Sequence, residues 1–459
     1  MTLIKSISGI RGTLGGIPGT GLTPLDVVKF TSAYAEWIRK KIKKEKYKVV
    51  IGRDARLSGE MVESIVAGTL TGMGIDVINL GLAATPTVEI AVMKERSDGG
   101  IIVTASHNPW EWNALKLLNN LGEFISAGDG QEIVQLSLDD QYTYAQVGEL
   151  GKVTRNDQYN AIHIREILEL DLVDPEIIRN AGFRIAIDCI NSVGGTIVPE
   201  LLKNLGVREV IELNCKPDGK FSHNPEPLPE NLGEMAEVVR EGKADAGFAV
   251  DPDVDRLAII CENGEMFGEE YTLVAVADYI LNRTPGNTAS NLSSSMALKD
   301  ITLSYGQKYF AAEVGEVNVV KVMKDNHCVI GGEGNGGVIY PALHYGRDAL
   351  VGMALFLTSL ALKRMKCSEL KKQFPEYIIS KNKIVIPVES DINSLFKKVR
   401  EYYKSYEIDT RDGVRIDFGD SWIHLRKSNT EPVIRLYAEA RNLHLTEILI
   451  KQITKIIEG

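Results

Sequence analysis

The sequence predicts an α/β protein with three related α/β mixed-sheet domains and a smaller C-terminal α+β domain. Two observations carry this prediction. A unit of strand, polar loop, helix, glycine and strand occurs three times along the 459 residues, and the last part of the chain shows a different pattern of short strands. The length corresponds to about three domains of average size, and two or four also fit.

The three repeats share a helix that closes on a glycine and leads into a second apolar strand, which is typical of a βαβ crossover. Short strands separated by helices indicate mixed or parallel sheets that carry helices on both faces. The predicted strand, helix and strand segments are 48–54, 61–73 and 75–80, then 183–188, 194–205 and 210–213, and finally 287–294, 296–305 and 308–310.

The C-terminal part alternates strands with two helices, which favours a smaller α+β domain. The pattern predicts strands over 383–387, 414–418, 421–426 and 433–439, and helices over 392–402 and 443–457. We place the four domains at residues 1–157, 158–257, 258–372 and 373–459.

Composition and charge exclude several classes of protein. Hydrophobic residues make up 44% and charged residues 25%, as in ordinary globular domains, and the net charge of −10 argues against a nucleic-acid partner. The most apolar stretch, 353–362, predicts a buried helix, and we expect no membrane span and no signal peptide. Five widely spaced cysteines indicate a reducing, cytoplasmic location.

Ser106 follows the apolar run 101–103 and precedes the pair Asn108-Pro109, which ends the strand. The hydroxyl is therefore expected at the carboxyl end of a strand, where ligands bind in open α/β sheets. A turn with only local hydroxyl bonds is the alternative. Neighbouring side chains on a strand point to opposite faces, so the pattern implies no Ser–His dyad with His107. Lys116 lies close enough in sequence to fold back over Ser106.

The segment Asp251-Pro252-Asp253-Val254-Asp255-Arg256, called the aspartate loop below, gives the most specific local pattern. Three carboxylates at alternate positions of an extended chain project to one side, and their mutual repulsion favours a bound cation. An all-oxygen set suits Mg²⁺ or Ca²⁺. An EF-hand does not fit, because Arg256 stands where that loop needs glycine and both flanks are predicted strands.

Two further loops have composition suited to ligands. The run Gly331 to Gly337 offers Glu333 as an acceptor and Asn335 as an amide, although a purely structural glycine-rich connection fits equally well. The segment 425–432, followed by Arg435, combines arginines, hydroxyls and backbone amides as a phosphate cradle would. An exposed basic hairpin is the alternative there.

Taken together, these motifs resemble those of the α-D-phosphohexomutase superfamily over essentially the whole chain. The matching segments are Thr104-Ala105-Ser106-His107-Asn108-Pro109, the aspartate loop, Gly332-Glu333-Gly334-Asn335-Gly336, Arg426-Lys427-Ser428-Asn429-Thr430-Glu431-Pro432 and the opening Ser8-Gly9-Ile10-Arg11-Gly12. The resemblance implies four domains around a central cleft. Within the superfamily, the chain most resembles the bacterial phosphoglucosamine mutases, and the phosphoglucomutases/phosphomannomutases are the alternative.

The resemblance also implies a mechanism and a set of site residues. Ser106 would carry a phosphoryl group beside Mg²⁺, and a hexose bisphosphate would be both activator and intermediate. The phosphoryl group would move between the 6- and 1-positions of a hexose phosphate. The implied catalytic residues are Ser106, Lys116, Arg11, His107 and Arg256, the metal ligands are Ser106, Asp251, Asp253 and Asp255, and the substrate-binding residues are Glu333, Asn335, Arg426, Ser428, Asn429, Thr430 and Arg435.

Two hypotheses from other functional classes, a phosphatase and a non-catalytic binding protein, remain open on the sequence alone. A haloacid-dehalogenase-like phosphatase would use Asp251 as its nucleophile, because the aspartate loop also fits that pattern, and a silent sugar-phosphate binder would use no nucleophile. The sequence leaves two roles for His223, an imidazole in the cleft or a turn-stabilising residue, and assigns none to Lys321. A small sugar phosphate is the expected partner, and the chain is expected to be a monomer or homodimer.

Overall fold

A computed structural model describes residues 2–6, 9–385, 391–427 and 433–458 of the chain. The chain divides into two compact units. The first unit contains Met1–Thr272 and Asn335–Leu370, and the second contains Leu273–Gly334 and Lys371–Gly459.

The first unit begins with a seven-stranded mixed sheet. Its strands are β1 (Leu3–Ser6), β2 (Gly9–Thr13), β3 (Tyr47–Arg53), β4 (Ile75–Leu82), β5 (Gly99–Val103), β6 (Trp112–Leu118) and β7 (Val153–Arg155). They lie in the order β1-β2-β6-β5-β3-β4-β7, with β3 parallel to β4 and β5, and with β6 antiparallel to β5.

Helices cover both faces of this sheet. They are α1 (Pro24–Lys41), α2 (Gly59–Gly72), α3 (Thr85–Lys94) and α4 (Ala127–Asp139), with a 3₁₀ turn at Val147–Glu149. Val49 and Ile51 of β3 pack into one hydrophobic core, whereas Val50 between them packs into another. Because successive strand residues point to opposite faces, both faces need apolar side chains, and the strand is a continuous apolar run.

A four-stranded sheet follows in the same unit. Its strands are β8 (Arg184–Asp188), β9 (Glu209–Leu213), β10 (Ala246–Val250) and β11 (Leu257–Cys261), in the order β11-β10-β8-β9. Its helices are α5 (Tyr159–Leu168), α6 (Pro175–Ala181), α7 (Gly194–Asn204) and α8 (Gly233–Arg240), with a 3₁₀ turn at Pro229–Asn231.

The second unit has a core of three parallel strands, followed by elements that return to the first unit. The strands are β12 (Asn287–Asn291), β13 (Tyr309–Ala312) and β14 (Cys328–Glu333), with β12 between the other two. The helices of this stretch are α9 (Glu269–Arg283), α10 (Met296–Ser304) and α11 (Glu316–Asp325). The following elements are β15 (Gly337–Ile339), α12 (Ala349–Lys363) and α13 (Cys367–Lys371).

The C-terminal part forms an antiparallel five-stranded sheet with two helices. Its elements are β16 (Ile378–Val385), α14 (Ile392–Tyr402), β17 (Glu407–Asp409), β18 (Val414–Asp417), β19 (Trp422–Lys427), β20 (Val433–Ala440) and α15 (Leu443–Glu458). The strand order is β16-β20-β19-β18-β17. One hydrophobic core joins side chains of α14, α15 and the sheet.

The three predicted repeats correspond to three parallel βαβ units, β3–α2–β4, β8–α7–β9 and β12–α10–β13. The glycines that end their crossovers, Gly74, Gly206 and Gly306, have φ of 74°, 89° and 69°, which favours glycine. The predicted fold class is therefore confirmed. The domain boundaries proposed above stay a prediction.

The apolar stretch 353–362 lies within α12, whose side chains from Ala349 to Ala361 are all buried. Among the described residues, no helix combines the length and hydrophobicity that a membrane crossing requires.

Candidate active site

Ser106 lies in a tight turn just beyond the end of β5. The strand ends at Val103, and Ser106 has a left-handed backbone with φ of 48°. Its amide donates to Thr104 Oγ1 at 2.9 Å, and the amide of Asn108 donates to the carbonyl of Ala105 at 3.0 Å. The turn thus holds the hydroxyl at the carboxyl end of the strand.

Arg56, a buried arginine that the sequence patterns did not mark, stabilises this turn. The guanidinium of Arg56 donates to backbone carbonyls of the turn and forms an ion pair with Asp54 at 2.9 Å. Asp54 in turn accepts from Thr104 Oγ1 at 2.6 Å. The carbonyls that accept from Arg56 belong to Ser106, Asn108, Pro109 and Trp112. Four backbone contacts to one rigid guanidinium fix the shape of the loop.

The three aspartates of the aspartate loop lie between the antiparallel strands β10 and β11 and are fully buried. Each offers a carboxylate oxygen, and these oxygens lie within 4.8 Å of one another. We call the side chains of Asp251, Asp253 and Asp255 the carboxylate set. The prediction that these carboxylates project from an extended chain is wrong. Val254 has φ of 63° and its amide donates to the carbonyl of Asp251 at 3.1 Å, so a turn directs the carboxylates together.

Ser106 and the aspartate loop meet directly, although 145 positions separate them. Ser106 Oγ donates to Asp251 Oδ2 at 2.6 Å. The other oxygen of Asp251 accepts from the amides of Asp255 and Arg256 at 3.1 and 3.2 Å. The hydroxyl and the carboxylate set therefore form one site.

Burial and like charges set the protonation of this carboxylate set. Burial raises the pKa of Asp251 well above its ordinary value, and the neighbouring Asp255 and Asp253 add to the rise. Burial also acts to raise the pKa of Asp255, but nearby cations outweigh it and lower that pKa. These cations are Arg347, Lys116 and Arg256.

The oxygen atoms of the three aspartates fit a small divalent cation as ligands. Asp253 Oδ1 is buried, and no group in the described ranges donates a hydrogen bond to it. A buried carboxylate oxygen without a donor is costly unless a cation faces it. Oxygen-only ligands at close range are those that Mg²⁺ binds.

Lys116, on β6, contacts the carboxylates rather than the hydroxyl. Its Nζ lies 2.6 Å from Asp253 Oδ2 and 3.3 Å from Asp255 Oδ2. Burial acts to lower the pKa of Lys116, but these two carboxylates outweigh it and raise that pKa. The ammonium therefore stays charged next to the predicted metal ligands.

His107 lies beside Ser106, contrary to the argument from strand geometry. Its Nδ1 is 3.3 Å from Ser106 Oγ. The argument failed because the strand ends at Val103, so the alternation of side chains no longer applies at Ser106. Burial, helped by the charge of Arg256, lowers the pKa of His107 well below its ordinary value, so the ring is neutral.

Two predicted arginines also lie at this site. Arg11, on β2, is near enough to His107 to affect its pKa. Arg256 Nε lies 3.8 Å from Asp255 Oδ1, and its Nη1 lies 3.6 Å from Glu226 Oε1. Arg256 also lines a small cavity with Glu226 and Asn335.

Sequence reasoning missed three residues that hold the aspartate loop. Thr85, the first residue of α3, donates its hydroxyl to Asp253 Oδ2 at 2.6 Å and its amide to the Asp253 carbonyl at 2.9 Å. Arg347 Nη2 donates to Asp255 Oδ2 at 2.8 Å, and the amide of Ala349 donates to the carbonyl of Val254 at 3.2 Å. All three come from distant sequence, and no local pattern marks them.

The two predicted sugar-binding residues belong to different units. In the second unit, Glu333 is buried and its Oε1 accepts from Asn291 Nδ2 at 2.9 Å and from the amide of Gly315 at 3.0 Å. In the first unit, Asn335 accepts from the amide of Gly337 at 3.3 Å. Of the predicted phosphate loop, Ser428, Asn429 and Thr430 lie outside the described residues.

The two described arginines of the phosphate segment, Arg426 and Arg435, lie in a row with a third cation, Lys383. Arg426 of β19 is directly opposite Arg435 of β20, and Arg435 is opposite Lys383 of β16. Opposed residues on antiparallel strands share one face, and like charges there are destabilising. Asp412 Oδ2 offsets one charge, at 2.7 Å from Arg426 Nε.

His223 contacts a carboxylate at the end of β8. Its Nε2 lies 3.1 Å from Asp188 Oδ2, and its Nδ1 lies 2.8 Å from the carbonyl of Asn224. Burial acts to lower the pKa of His223, but Asp188 outweighs it and raises that pKa. These contacts are those of a residue that stabilises its turn.

Comparison with known proteins bears on all four parts of the chain. The family described as phosphoglucomutase/phosphomannomutase matches through its alpha/beta/alpha domain I at residues 3–143, domain II at 161–264, domain III at 268–377 and C-terminal domain at 366–455.

Individual proteins agree with the family match. A phosphoglucomutase/phosphomannomutase of Thermococcus kodakarensis is 35% identical over 98% of this chain and 99% of its own. A phosphoglucosamine/phosphogalactosamine mutase of Sulfurisphaera tokodaii is 32% identical over 98% of each chain. The crystal structure of a phosphoglucomutase/phosphomannomutase family protein from Burkholderia thailandensis is 26% identical, with a TM-score of 0.85 over 99% of this chain and 97% of that one.

These matches span the chain from its first strand to its last helix and leave no large segment to another family. The chain belongs to the phosphoglucomutase/phosphomannomutase family, within the α-D-phosphohexomutase superfamily and close to the phosphoglucosamine mutases, and it is a phosphohexomutase enzyme.

Proposed function

We propose that the enzyme interconverts glucosamine 6-phosphate and glucosamine 1-phosphate through a phosphorylated Ser106 and a bisphosphate intermediate. The observation that carries the phosphoserine mechanism is the 2.6 Å contact between Ser106 Oγ and Asp251 within the buried carboxylate set, and the names of the phosphoglucosamine mutase relatives support the substrate. Family membership decides against the phosphatase alternative, in which Asp251 would be the nucleophile.

Ser106 would act as the phosphoryl carrier. The bond between phosphorus and the serine oxygen breaks while a bond forms to the 1-hydroxyl oxygen of the sugar; that hydroxyl gives up its proton, and the departing serine oxygen takes one up. The bisphosphate then reorients in the site, and the Ser106 oxygen bonds to the phosphorus at the 6-position; Ser106 loses its hydroxyl proton, and the departing 6-oxygen of the sugar gains one. The substrate and the product are therefore the same sugar, with the phosphate on the 6-position in one and on the 1-position in the other.

Asp251, Asp253 and Asp255, with the Ser106 phosphate, would hold Mg²⁺. A phosphate on Ser106 beside three carboxylates concentrates negative charge in a buried site, and only a cation makes that arrangement stable. When bound, Mg²⁺ offsets charge on the transferring phosphoryl group.

Lys116 and the arginines would position the reacting groups. Lys116 would assist proton transfer at the sugar hydroxyl, and its Nζ is 2.6 Å from Asp253, at the edge of the carboxylate set. Arg11 and Arg256 would orient phosphoryl oxygens. His107, neutral and 3.3 Å from Ser106 Oγ, would donate a hydrogen bond from its Nδ1 to the serine oxygen.

The phosphate that does not react would bind in the C-terminal part. Arg426 and Arg435 would grip it together with Ser428, Asn429 and Thr430, and Lys383 would add a third charge. Glu333 and Asn335 would bind sugar hydroxyls. This arrangement explains how an acidic chain accommodates a dianionic substrate.

One comparison favours a second substrate class. The relative from Thermococcus kodakarensis, 35% identical, is named for glucose and mannose phosphates rather than for an amino sugar. A phosphoglucomutase/phosphomannomutase activity is therefore the alternative function.

A coupled assay with purified enzyme, Mg²⁺ and a hexose bisphosphate activator separates the two. The panel contains the 1-phosphates of glucosamine, glucose, mannose and N-acetylglucosamine. We expect kcat/KM for the glucosamine phosphate to exceed the others by roughly 10-fold or more. Equal turnover of glucose 1-phosphate and glucosamine 1-phosphate would overturn the assignment.

A further inference from the structure

A second cluster of buried metal-binding side chains lies in the first unit and shares no residue with the carboxylate set. It contains His163 of α5, together with His344 and Asp348 at the start of α12. Their nearest ligand atoms lie within 4.8 Å of one another. Asp348 Oδ2 is 2.9 Å from His163 Nε2 and 3.2 Å from His344 Nε2. All three side chains are buried.

Each member of the cluster is oriented by a contact on its other side. Thr87 Oγ1 lies 3.0 Å from His163 Nδ1, and Glu89 Oε2 lies 3.1 Å from His344 Nδ1. Asp348 Oδ1 accepts the amides of Leu350 and Val351 as the N-cap of α12. The remaining atoms, two Nε2 and one Oδ2, lie close together, with Asp348 Oδ2 within 3.2 Å of both nitrogens. Outer partners of this kind, a carboxylate on a histidine above all, orient the ligands of metal sites.

Charge balance also favours a cation. The carboxylates of Glu89 and Asp348 are buried beside the two imidazoles, and a divalent ion bound by the cluster would offset their negative charge. Glu89 packs directly against the backbone of Gly346, where an added Cβ atom would clash with its Oε2.

We propose that His163, His344 and Asp348 bind a divalent transition-metal ion, with Zn²⁺ as the best match. Two imidazole nitrogens and one carboxylate oxygen suit Zn²⁺, whereas Mg²⁺ prefers oxygen ligands alone. The ion joins α5 to the start of α12, and the outer partners Thr87 and Glu89 add α3. Its role is structural, because α3 and α12 both begin at residues that hold the aspartate loop.

The test measures metal content of the full chain, produced in zinc-supplemented medium and washed with excess Mg²⁺. Elemental analysis should find one zinc ion per chain in the wild type. Asp251→Asn, which alters the carboxylate set, and His444→Asn, at an exposed position on α15, should both keep it. His163→Asn and His344→Asn should lose it.

A conservative change of an outer partner gives a second readout. Glu89→Gln should weaken zinc affinity by about 10- to 100-fold, measured by competition with a chelating dye. Substitution with Co²⁺ should give the visible absorption of a nitrogen- and oxygen-ligated ion in the wild type and in Asp251→Asn, but not in His163→Asn.

Wild-type enzyme without zinc would overturn the proposal, even if the histidine variants fail to fold. Full zinc retention in both histidine variants would overturn it as well. Loss of zinc in Asp251→Asn would assign the ion to the carboxylate set instead. None of these outcomes depends on which sugar phosphate the enzyme prefers.

Discussion

At the scale of single residues, Asp251 illustrates the conflict between stability and function in this site. Its carboxylate is fully buried beside two others, and burial and repulsion both penalise its charge. The same oxygen that accepts from Ser106 is one that would face a bound cation. Under the proposed function, the charge of Asp251 destabilises the protein without a cation and serves catalysis when a cation is bound.

Asp251→Asn should therefore separate the two effects. Without a divalent cation, the neutral isostere should raise the free energy of unfolding by roughly 1–3 kcal/mol at pH 7. With Mg²⁺ at about 100 times its Kd, the wild type should gain about 2.7 kcal/mol and the variant far less. Urea unfolding with and without Mg²⁺ measures both, and the exposed Asp171→Asn is the matched control. An equal gain from Mg²⁺ in the two proteins would contradict the ligand assignment.

At the scale of elements, the register of the C-terminal sheet aligns cations that are far apart in sequence. Lys383, Arg435 and Arg426 are opposed across β16, β20 and β19. Neither the sequence spacing nor the family motif marks Lys383, because strand pairing alone brings it into line.

Lys383→Gln should raise KM for the sugar phosphate by roughly 10-fold, because one charge-assisted contact to the phosphate is lost. The value of kcat should change little, since this phosphate does not react. Steady-state kinetics measure both, with the exposed Lys397→Gln of α14 as control. A fall in kcat at constant KM would place Lys383 outside the phosphate site.

Glu439 of β20 links the C-terminal sheet to α10. Its Oε2 accepts from the amide of Met296 at 2.8 Å and from Trp422 Nε1 at 2.6 Å. Burial raises the pKa of Glu439 from 4.5 to about 7. The unfolded chain therefore releases this proton at lower pH than the folded chain, and stability falls as pH rises through this window.

Glu439→Gln should remove that part of the pH dependence. Between pH 4.5 and about 7, the wild type should lose on the order of 1–3 kcal/mol relative to the variant, with little further change above this range. Unfolding in urea at a series of pH values measures it, with the exposed Glu447→Gln as control. Parallel curves for the wild type and Glu439→Gln would show that burial does not shift this group.

At the scale of the whole molecule, features with a local origin were predictable from the sequence. The three βαβ units follow from apolar runs and from glycines that end helices, and helix α14 has the predicted bounds, Ile392–Tyr402. The aspartate loop was recognisable because its three charges are close in sequence.

Features that depend on long-range packing were not predictable. Arg56 and Arg347 look like ordinary surface cations in sequence, and only the fold buries them against the serine turn and the aspartate loop. The contact between Ser106 and His107 was missed because the end of β5, three residues before Ser106, was not fixed by pattern alone. The buried pair of histidines carries no motif at all.

The proposed function depends above all on Ser106 carrying the phosphoryl group beside the three aspartates. Its most direct test is intact-mass analysis after incubation with a hexose 1,6-bisphosphate and Mg²⁺, followed by peptide mapping. We expect one acid-stable phosphoryl group on Ser106, none in Ser106→Ala, and a fall in turnover of that variant by about 10³-fold or more. An acid-labile phosphoryl group on Asp251, or undiminished turnover by Ser106→Ala, would contradict the account.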